Sequence, residues 1–347
     1  MNAAARTIDR AVGSSARPET IGVLIPTYRR SLDLLRCLDA LRGQDRPPDE
    51  VIVTVRREDT ETQNVLAGFD RSALPLRILL VEVPGTVYAH NVAIEACTTD
   101  VLAMIDDDTA PQAHWLKVIL EDFQADPLLG GLGGRDRCFD GTSFDEGKAD
   151  TVGKLQWWGR AVGNHHRGFG SIRAVDLLKG ANMSFRTAAL EKARCDTRLR
   201  GRGAQPNEDT SLTLAVKRAG WKIAYDPNAV VDHYQAQREE ARHYGGIAPI
   251  KDPEPFVDFA YNEVIGIWDF LPITRRIVFV LWSLLIGTGV CPGLLQAVRF
   301  TPRLGAQSWY RFFLAQRGKW VAIADLIGVR TPRGLMTGAE QSPSPRS

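Results

Sequence analysis

The apolar and polar positions of the first hundred residues follow two alternating periods. Short uninterrupted apolar runs, which are typical of strands buried on both faces, occupy 21–25, 51–55, 78–83 and 101–105. Leucines recur at near-helical spacing from Leu32 to Leu41, with Ser31 as the expected cap and Gly43 as the expected end, and 88–97 has a helical composition. This alternation predicts an α/β fold with a mostly parallel sheet and helices on both faces.

Three aspartates follow the fourth strand. Asp106, Asp107 and Asp108 stand where the run 101–105 ends, and open α/β sheets bind ligands at that edge. Adjacent like charges repel one another and lose solvation when they are buried, unless a cation or several hydrogen-bond donors compensate them. We therefore predict a ligand or metal site here. The alternative is a solvated acidic turn that ends at Pro111.

A second acidic pair begins a later helix. The glycine-rich loop 201–207 leads to Glu208 and Asp209, and the helical pattern after them ends near Gly220. Carboxylates at a helix start also have an ordinary role, because they cap backbone N–H groups and offset the helix dipole. His233 follows an expected strand, turn and strand. Its imidazole suits a metal with carboxylate ligands, although an isolated histidine is more often a surface or packing residue.

The glycine motifs that bind phosphate groups are missing. No GxGxxG follows the first strand and no GxxxxGK[ST] occurs, which argues against a dinucleotide oxidoreductase and a P-loop enzyme. The glycine-rich segment 130–134 has neither spacing, and we expect a flexible turn that enters a strand. Phosphates bound by this chain would then be neutralised by a divalent metal on the aspartates, Mg²⁺ or Mn²⁺, since both prefer oxygen ligands.

Composition and cysteine content limit the kinds of partner and the cellular compartment that we expect for this protein. Lys and Arg number 43 against 41 Asp and Glu, so the net charge gives no reason to expect nucleic acid binding. The five cysteines are scattered without a CxxC pair, which argues against a zinc site and a disulfide framework and favours a reducing cytosol. Residues 1–19 have no apolar segment of the signal-peptide type and are expected to be a disordered lead-in.

The carboxyl-terminal third has a different pattern. An uncharged stretch of 22 residues, 277–298, is flanked by arginines and is long enough to span a bilayer, but glycines and a proline interrupt it. A clean span, a kinked or re-entrant segment, a helical pair on the membrane surface and a buried helix of a soluble domain are all open alternatives. We expect 246–330 to be a helical, membrane-associated region with an interfacial belt of aromatic residues, and 331–347 to be a disordered tail.

In their order along the chain, these motifs resemble the inverting family 2 glycosyltransferases of the GT-A fold, a Rossmann-like α/β architecture. The resemblance covers about 20–234 and rests on Ile25-Pro-Thr-Tyr-Arg-Arg30, Asn91, Ile105-Asp-Asp-Asp108, Pro111, Trp115-Leu116, Gly180-Ala-Asn-Met-Ser-Phe-Arg186, Glu208-Asp209, Gly220-Trp221 and His233. Each motif alone is weak, but their order and spacing together are specific. The resemblance implies a glycosyltransferase domain over 20–245, with a nucleotide-binding half, 20–135, and an acceptor and base half, 136–245.

The resemblance also implies roles for single residues. The nucleotide would be contacted by Pro26, Thr27, Tyr28, Arg29, Asp59, Asn91, Asp106 and Asp107. The metal ligands would be Asp108, Asp106 and His233, where Asp106 and Asp108 match the two acids of the family's DxD motif. Asp209 would be the general base with Glu208 beside it, and the floor near the donor sugar and acceptor would be Lys179, Gly180, Ala181 and Asn182. Two positions depart from the family: Asp59 stands later than its usual acid, and His90 replaces a common arginine.

We therefore predict an inverting, metal-dependent glycosyltransferase at the cytosolic face of the cell membrane. It would transfer a sugar from a nucleotide diphosphate sugar to a glycan or lipid-linked acceptor, as in cell-surface or exopolysaccharide synthesis. Specificity would reside in 141–173, where Trp157, Trp158, His165 and His166 could stack on an acceptor or only pack. A polar helix over 235–244 would close over the site or simply present a solvated face.

Two alternatives belong to other classes. A sugar nucleotidyltransferase shares an α/β core and metal-binding acids, but it usually has a glycine-rich basic loop just after the first strand. A metal-free sugar- or nucleotide-binding module would keep the sheet and would have no need for Asp209.

Overall fold

The computed structural model describes residues 19–72, 74–235, 250 and 252–328. Strands and helices alternate in its amino-terminal part, as the apolar pattern predicts. The elements in order are β1 (Ile21–Thr27), α1 (Ser31–Arg42), β2 (Glu50–Arg56), α2 (Thr60–Ala67), β3 (Leu76–Val81), α3 (Thr86–Ala96) and β4 (Val101–Ile105). Every residue of β2 and β4 is buried, so both faces of the sheet are covered.

The second part of the chain adds reversed strands. Its elements are β5 (Thr109–Pro111), α4 (Trp115–Ala125), β6 (Leu129–Cys138), β7 (Lys154–Leu155), β8 (Ala161–Val162), a 3₁₀ turn (His165–Arg167), β9 (Arg173–Ala174), β10 (Asn182–Arg186), α5 (Thr187–Leu190), α6 (Glu208–Arg218) and β11 (Lys222–His233). The main sheet has the order β3-β2-β1-β4-β10-β6-β11-β5, with β9 beside β11, and β7 pairs with β8. β1 to β4, β6 and β11 run parallel, and β10 lies antiparallel between β4 and β6. The prediction of a mostly parallel α/β fold is confirmed.

Strand register brings the predicted site residues to one edge of the sheet. Leu24 of β1 lies beside Met104 of β4, so the residues that follow both strands are neighbours. His233 ends β11, which is one long bulged strand where the sequence predicted a strand, a turn and a strand. It pairs with Thr109 of β5 and with Cys138 of β6. The turn after β4 and the end of β6 therefore flank the imidazole.

Two local predictions are wrong. Ser31 is the first residue of α1 and does not cap it, because its hydroxyl donates to Glu61 Oε1 at 2.9 Å instead. The glycines at 130–134 lie inside β6 and not in a turn. A Cβ atom on Gly130 would lie 2.3 Å from Cβ of Trp221, so glycine is needed there for close packing between neighbouring strands.

Four helices complete the described chain: α7 (Glu254–Trp268), α8 (Ile273–Leu285), α9 (Leu294–Leu304) and α10 (Ala306–Leu326). The uncharged stretch 277–298 is divided between α8 and α9, and Gly287 adopts a φ of 67° between them. Among the described residues, no helix combines the length and the apolar character needed to cross a bilayer. The clean span is therefore wrong, and a pair of helices takes its place.

The last helix packs closely on α7. A Cβ atom on Gly318 would lie 2.4 Å from the carbonyl oxygen of Val257. Buried Lys319 places Nζ 3.2 Å from Glu263 Oε2, and this pairing compensates an ammonium group that has lost its water. The region is helical, as expected. The predicted lead-in (1–19), polar helix (235–244) and tail (331–347) lie almost entirely outside the described residues.

Candidate active site

Three buried side chains meet at the carboxyl edge of the sheet. His233 Nε2 lies 3.3 Å from Asp108 Oδ1, and His233 Nδ1 lies 3.4 Å from Asp136 Oδ2. Asp108 follows β4, Asp136 lies near the end of β6 and His233 ends β11, and none of them is more than 8% exposed. The imidazole thus bridges two carboxylates from different parts of the sheet, one that follows β4 and one near the end of β6.

This edge carries a donor set that fits a divalent metal ion. One ligand atom from each of Asp106, Asp108 and His233 lies within 4.8 Å of the others, so a single ion could contact all three. Two carboxylate oxygens and an imidazole nitrogen suit Mn²⁺, and Mg²⁺ favours the oxygens. A second such group joins His233 to Asp136 and Cys138. In that group the carboxylate already contacts an ammonium group, so the first group is the better candidate for a metal site.

Arg30 compensates the buried aspartates. Its guanidinium contacts Asp107 and places Nη1 3.0 Å from Asp108 Oδ2. Asp107 is 0% exposed, and burial raises its pKa to about 7 even though Arg30 opposes the shift. The observed partner of Asp107 is therefore Arg30. The predicted contact of Asp107 with the nucleotide stays a prediction. Sequence reasoning assigned no role to this arginine.

The bridging histidine and Asp136 shift each other's proton affinity. Burial disfavours a charged imidazole, but hydrogen bonds to Asp108 and Asp136 outweigh it and raise the pKa of His233 well above its usual value. Burial alone would raise the pKa of Asp136, but the charges of Lys179 and His233 lower it below its usual range. A metal ion on His233 would replace a proton, because only the neutral imidazole is a ligand.

The predicted general base faces the same space. Asp209 Oδ2 accepts a hydrogen bond from the backbone N–H of Gly180 at 3.0 Å, and its Oδ1 accepts one from that of Thr210 at 2.6 Å. A carboxylate has about four acceptor positions, so these two bonds fix its orientation and leave room for a proton. A cavity of about 420 Å³ is lined by Asp106, Lys179, Gly180, Ala181, Glu208, Asp209 and His233, among others.

Three of the four residues predicted to form the floor of the sugar site border the cavity, and their contact with a sugar stays a prediction. Lys179, Gly180 and Ala181 line the cavity. Asn182 is 2% exposed and lies behind the cavity wall. Its Oδ1 accepts from Trp115 Nε1 at 3.0 Å and its Nδ2 donates to the carbonyl oxygen of Ala229 at 2.8 Å. The amide therefore joins β10 to α4 and β11, and the predicted contact of Asn182 with a sugar stays a prediction.

The predicted nucleotide contacts Pro26 and Thr27 are the last residues of β1, and Tyr28 and Arg29 lie in the bend that follows it. Asp59 caps α2 and also accepts a hydrogen bond from the backbone N–H of Arg29 at 2.6 Å. The guanidinium of Arg56 lies 3.9 Å from the ring centroid of Tyr28. This turn thus presents a stacked aromatic and guanidinium pair. Nucleotide binding by these residues stays a prediction.

Asn91 and His90 have protein partners in the structure, and the nucleotide contact predicted for Asn91 stays a prediction. The Asn91 amide donates to the carbonyl oxygen of Cys195 at 3.0 Å and accepts from its N–H at 2.9 Å. His90 is buried, and burial lowers its pKa to about 4, so it is neutral at pH 7. Both residues attach α3 to the segment around Cys195, and neither lines the 420 Å³ cavity.

The loop before Asp209 is held from two sides. On one side, Gln205 Oε1 accepts a hydrogen bond from the N–H of Val87 in α3 at 3.0 Å. On the other side, Asn262 of α7 exchanges two hydrogen bonds of 2.8 Å with the backbone of Arg200. The helical region therefore helps to position Asp209, the predicted base, and the sequence did not indicate this contribution.

The remaining omissions of the sequence reasoning are Asp136 and Arg56. Asp136 stands near the end of a strand, which is the signal that identified the aspartates after β4. The glycines before Asp136 were expected to form a turn, so the end of this strand was not located. Arg56 ends β2, and its guanidinium donates to the carbonyl oxygen of Arg202 at 2.6 Å. It therefore joins the predicted nucleotide side of the site to the loop that precedes Asp209.

With this geometry established, comparison with known proteins decides the family. The sequence profile described as "Glycosyltransferase like family 2" matches residues 18–244, well over half of the chain. The chain belongs to glycosyltransferase family 2. This glycosyltransferase is 24% identical over 220 residues to the Glucosyl-dolichyl phosphate glucuronosyltransferase of Haloferax volcanii, an alignment that covers 61% of this chain and 68% of the relative.

Two bacterial relatives are similar at the same level. Identity to the Succinoglycan biosynthesis protein ExoM of Rhizobium meliloti is 26% over 216 residues, which covers 61% of this chain and 65% of that protein. Identity to the Poly-beta-1,6-N-acetyl-D-glucosamine synthase of Staphylococcus epidermidis is 22%, and the glycosyltransferase spans only 49% of that relative.

Solved structures share the fold. A mannosyltransferase from Pyrobaculum calidifontis, in complex with GDP-Man and Mn²⁺, superposes with a TM-score of 0.55 at 15% identity, covering 91% of this chain and 89% of that one. GalNAc-T7 with UDP, GalNAc and Mn²⁺ gives a TM-score of 0.56 at 12% identity, covering 85% and 59%. The glycosyltransferase thus has the GT-A fold.

Proposed function

We propose that this glycosyltransferase transfers a sugar, with inversion, from a nucleotide diphosphate sugar to a hydroxyl group of a glycan or lipid-linked acceptor, and that it requires Mg²⁺ or Mn²⁺. One observation carries the proposal. Asp106 and His233 from the metal-binding set and the carboxylate of Asp209 line a single cavity of about 420 Å³. Charge compensation and proton removal are thus available in the same place.

The chemistry needs both functions. A bound divalent ion supplies Lewis acid stabilisation of the departing diphosphate. Asp209, held by two backbone N–H groups, accepts the proton of the attacking hydroxyl. Lys179 lines the same cavity, and its ammonium group compensates Asp136 beside His233. The new bond forms at the anomeric carbon as the bond to the diphosphate breaks on the opposite side, so one displacement inverts the configuration.

The similar proteins support the ligand classes. The Pyrobaculum mannosyltransferase was solved with GDP-Man and Mn²⁺, and GalNAc-T7 with UDP, GalNAc and Mn²⁺. The names of the Haloferax and Rhizobium relatives refer to a dolichyl phosphate sugar and to succinoglycan biosynthesis. Membership of the family favours sugar transfer over the two alternatives, a sugar nucleotidyltransferase and a binding module without turnover.

A donor screen tests the proposal. Purified protein is incubated with a panel of UDP-, GDP- and dTDP-linked sugars in Mn²⁺, in Mg²⁺ or in EDTA, and release of the nucleoside diphosphate is measured. We expect turnover of one class of donor that stops in EDTA and returns when Mn²⁺ or Mg²⁺ is added. Undiminished turnover in EDTA, or none with any donor, would contradict the proposal.

We also propose that the enzyme rests on the cytosolic face of the cell membrane through α8 and α9. Aliphatic side chains that are 41–67% exposed cover these helices: Ile273, Ile277, Leu281, Leu285, Leu294, Leu295 and Val298. So large an apolar surface marks an interaction site, and Arg299 and Arg303 beside it suit anionic lipid headgroups. Flotation with phosphatidylglycerol vesicles tests this, and protein that stays at the bottom of the gradient would contradict it.

A further inference from the structure

A second, larger cavity adjoins the candidate active site. Its volume is about 930 Å³, which is at the upper end of the range for ligand pockets. Ala161, Asn207 and Phe259 line both cavities. Asn207 directly precedes the acidic pair that contains the proposed base. A ligand in the larger cavity could therefore extend to Asp209.

The walls of the larger cavity suit a hydrocarbon chain. Trp157 and Trp158 form part of its lining, and α8 contributes Val278, Leu281, Trp282 and Leu285. Leu281 is 56% exposed and Leu285 is 50% exposed, so the cavity opens on the aliphatic face of α8 and α9. A lipid chain could enter from that face without crossing polar surface.

The charges along the cavity suit an anionic group. Arg160 and Arg299 line it, and neither forms an ion pair with any other described residue. Glu263 also lines it, but its carboxylate lies 3.2 Å from Lys319 Nζ and is compensated there. The uncompensated charge of the lining is therefore positive. A phosphate or diphosphate group that joins a lipid to a sugar has the complementary charge.

A polar group marks the passage between the cavities. The Nδ2 atom of Asn207 is buried and has no hydrogen-bond partner among the described residues. A buried amide donor without a partner costs free energy. A bound oxygen at the junction would satisfy it.

We propose that the larger cavity binds the hydrocarbon chain of a lipid-linked acceptor. Arg160 and Arg299 bind its phosphate group, and its sugar or head-group hydroxyl passes Asn207 to reach Asp209. The proposal rests on the proposed function for the transfer step alone, because binding of the lipid requires no donor. It selects a lipid-linked acceptor over a free, water-soluble glycan.

The test measures binding of prenyl phosphates without donor, by quenching of tryptophan fluorescence. Geranyl, farnesyl and geranylgeranyl phosphate share one head group and differ in chain length. We expect affinity to rise about tenfold or more from the shortest to the longest, because each added unit buries more apolar surface. Affinity that does not depend on chain length would overturn the proposal.

Gly289→Phe blocks the cavity without strain. Gly289 lines it, a Cβ atom added there would meet no heavy atom within 4 Å, and its φ is not positive. Gly43→Phe, at the exposed end of α1 and away from the cavity, is the matched control. We expect Gly289→Phe to weaken geranylgeranyl phosphate binding about tenfold and Gly43→Phe to leave it unchanged. Equal binding by the two variants would overturn the proposal.

The proposed contact between Arg299 and the phosphate group is also tested with a matched pair of substitutions. Arg299→Gln should weaken binding of geranylgeranyl phosphate and leave that of uncharged geranylgeraniol unchanged. Arg303→Gln, one turn further along α9 and outside the lining, should affect neither. Equal effects of the two substitutions would overturn the assignment of the phosphate. Donor hydrolysis without acceptor is measured in each variant, so a failure of the proposed function is visible separately from a failure of lipid binding.

Discussion

Replacement of Asp209 by asparagine tests the proton acceptor. The two carboxylate oxygens accept the backbone N–H groups of Gly180 at 3.0 Å and Thr210 at 2.6 Å. An amide keeps one acceptor oxygen and presents an NH₂ group to the other N–H, so one hydrogen bond is lost. That loss costs about 1 kcal/mol and lowers Tm by about 2–4 °C in a domain of 150–250 residues. The variant should therefore fold.

The effect on transfer should be far larger. Loss of a general base lowers the rate by about 10²–10⁴-fold, and we expect Asp209→Asn to fall in this range while nucleoside diphosphate binding, measured by titration calorimetry, is unchanged. Glu208→Gln removes the same charge from the same turn of α6 and should have a smaller effect. A rate for Asp209→Asn within tenfold of the unmodified enzyme, or a larger loss in Glu208→Gln, would refute the assignment.

Three further predictions concern the metal and stability. His233→Gln should weaken Mn²⁺ binding about tenfold or more, measured by electron paramagnetic resonance of free Mn²⁺. Lys319→Met leaves its partner carboxylate buried and should cost about 3 kcal/mol in urea unfolding, whereas Arg317→Met breaks an exposed pair and should cost less than about 1 kcal/mol. Burial and neighbouring Asp226 raise the pKa of Asp122 from 3.8 to about 7. Between these two pKa values the native state therefore binds more protons than the unfolded state, and the free energy of unfolding falls as pH rises. Asp122→Asn should flatten this dependence between pH 5 and pH 8 in Tm measurements.

The elements that sequence alone predicted are those with local physical signals. β2 and β4 are apolar because both of their faces are buried, and such a run needs no knowledge of its neighbours. A strand end marks Asp106 to Asp108, and a helix start marks Asp209. These features could be located because the sequence itself shows where each element begins or ends.

The missed features depend on packing between distant segments. Asn182 bonds to Trp115, 67 residues away, and to Ala229, 47 residues away, and no local pattern indicates such partners. The glycines before Asp136 suggested a turn because close approach of Trp221 to the strand is invisible in sequence. Similarly, hydropathy showed an uncharged stretch at 277–298 but could not show that its chain reverses between two helices.

In the proposed mechanism the acceptor hydroxyl attacks the nucleotide sugar directly, with one base and no covalent intermediate. The most direct test is the anomeric configuration of the transferred sugar, determined by NMR from a donor of known configuration in the presence of Mn²⁺ or Mg²⁺. We expect the product to have the configuration opposite to that of the donor. A product that retains the donor's configuration would contradict the mechanism.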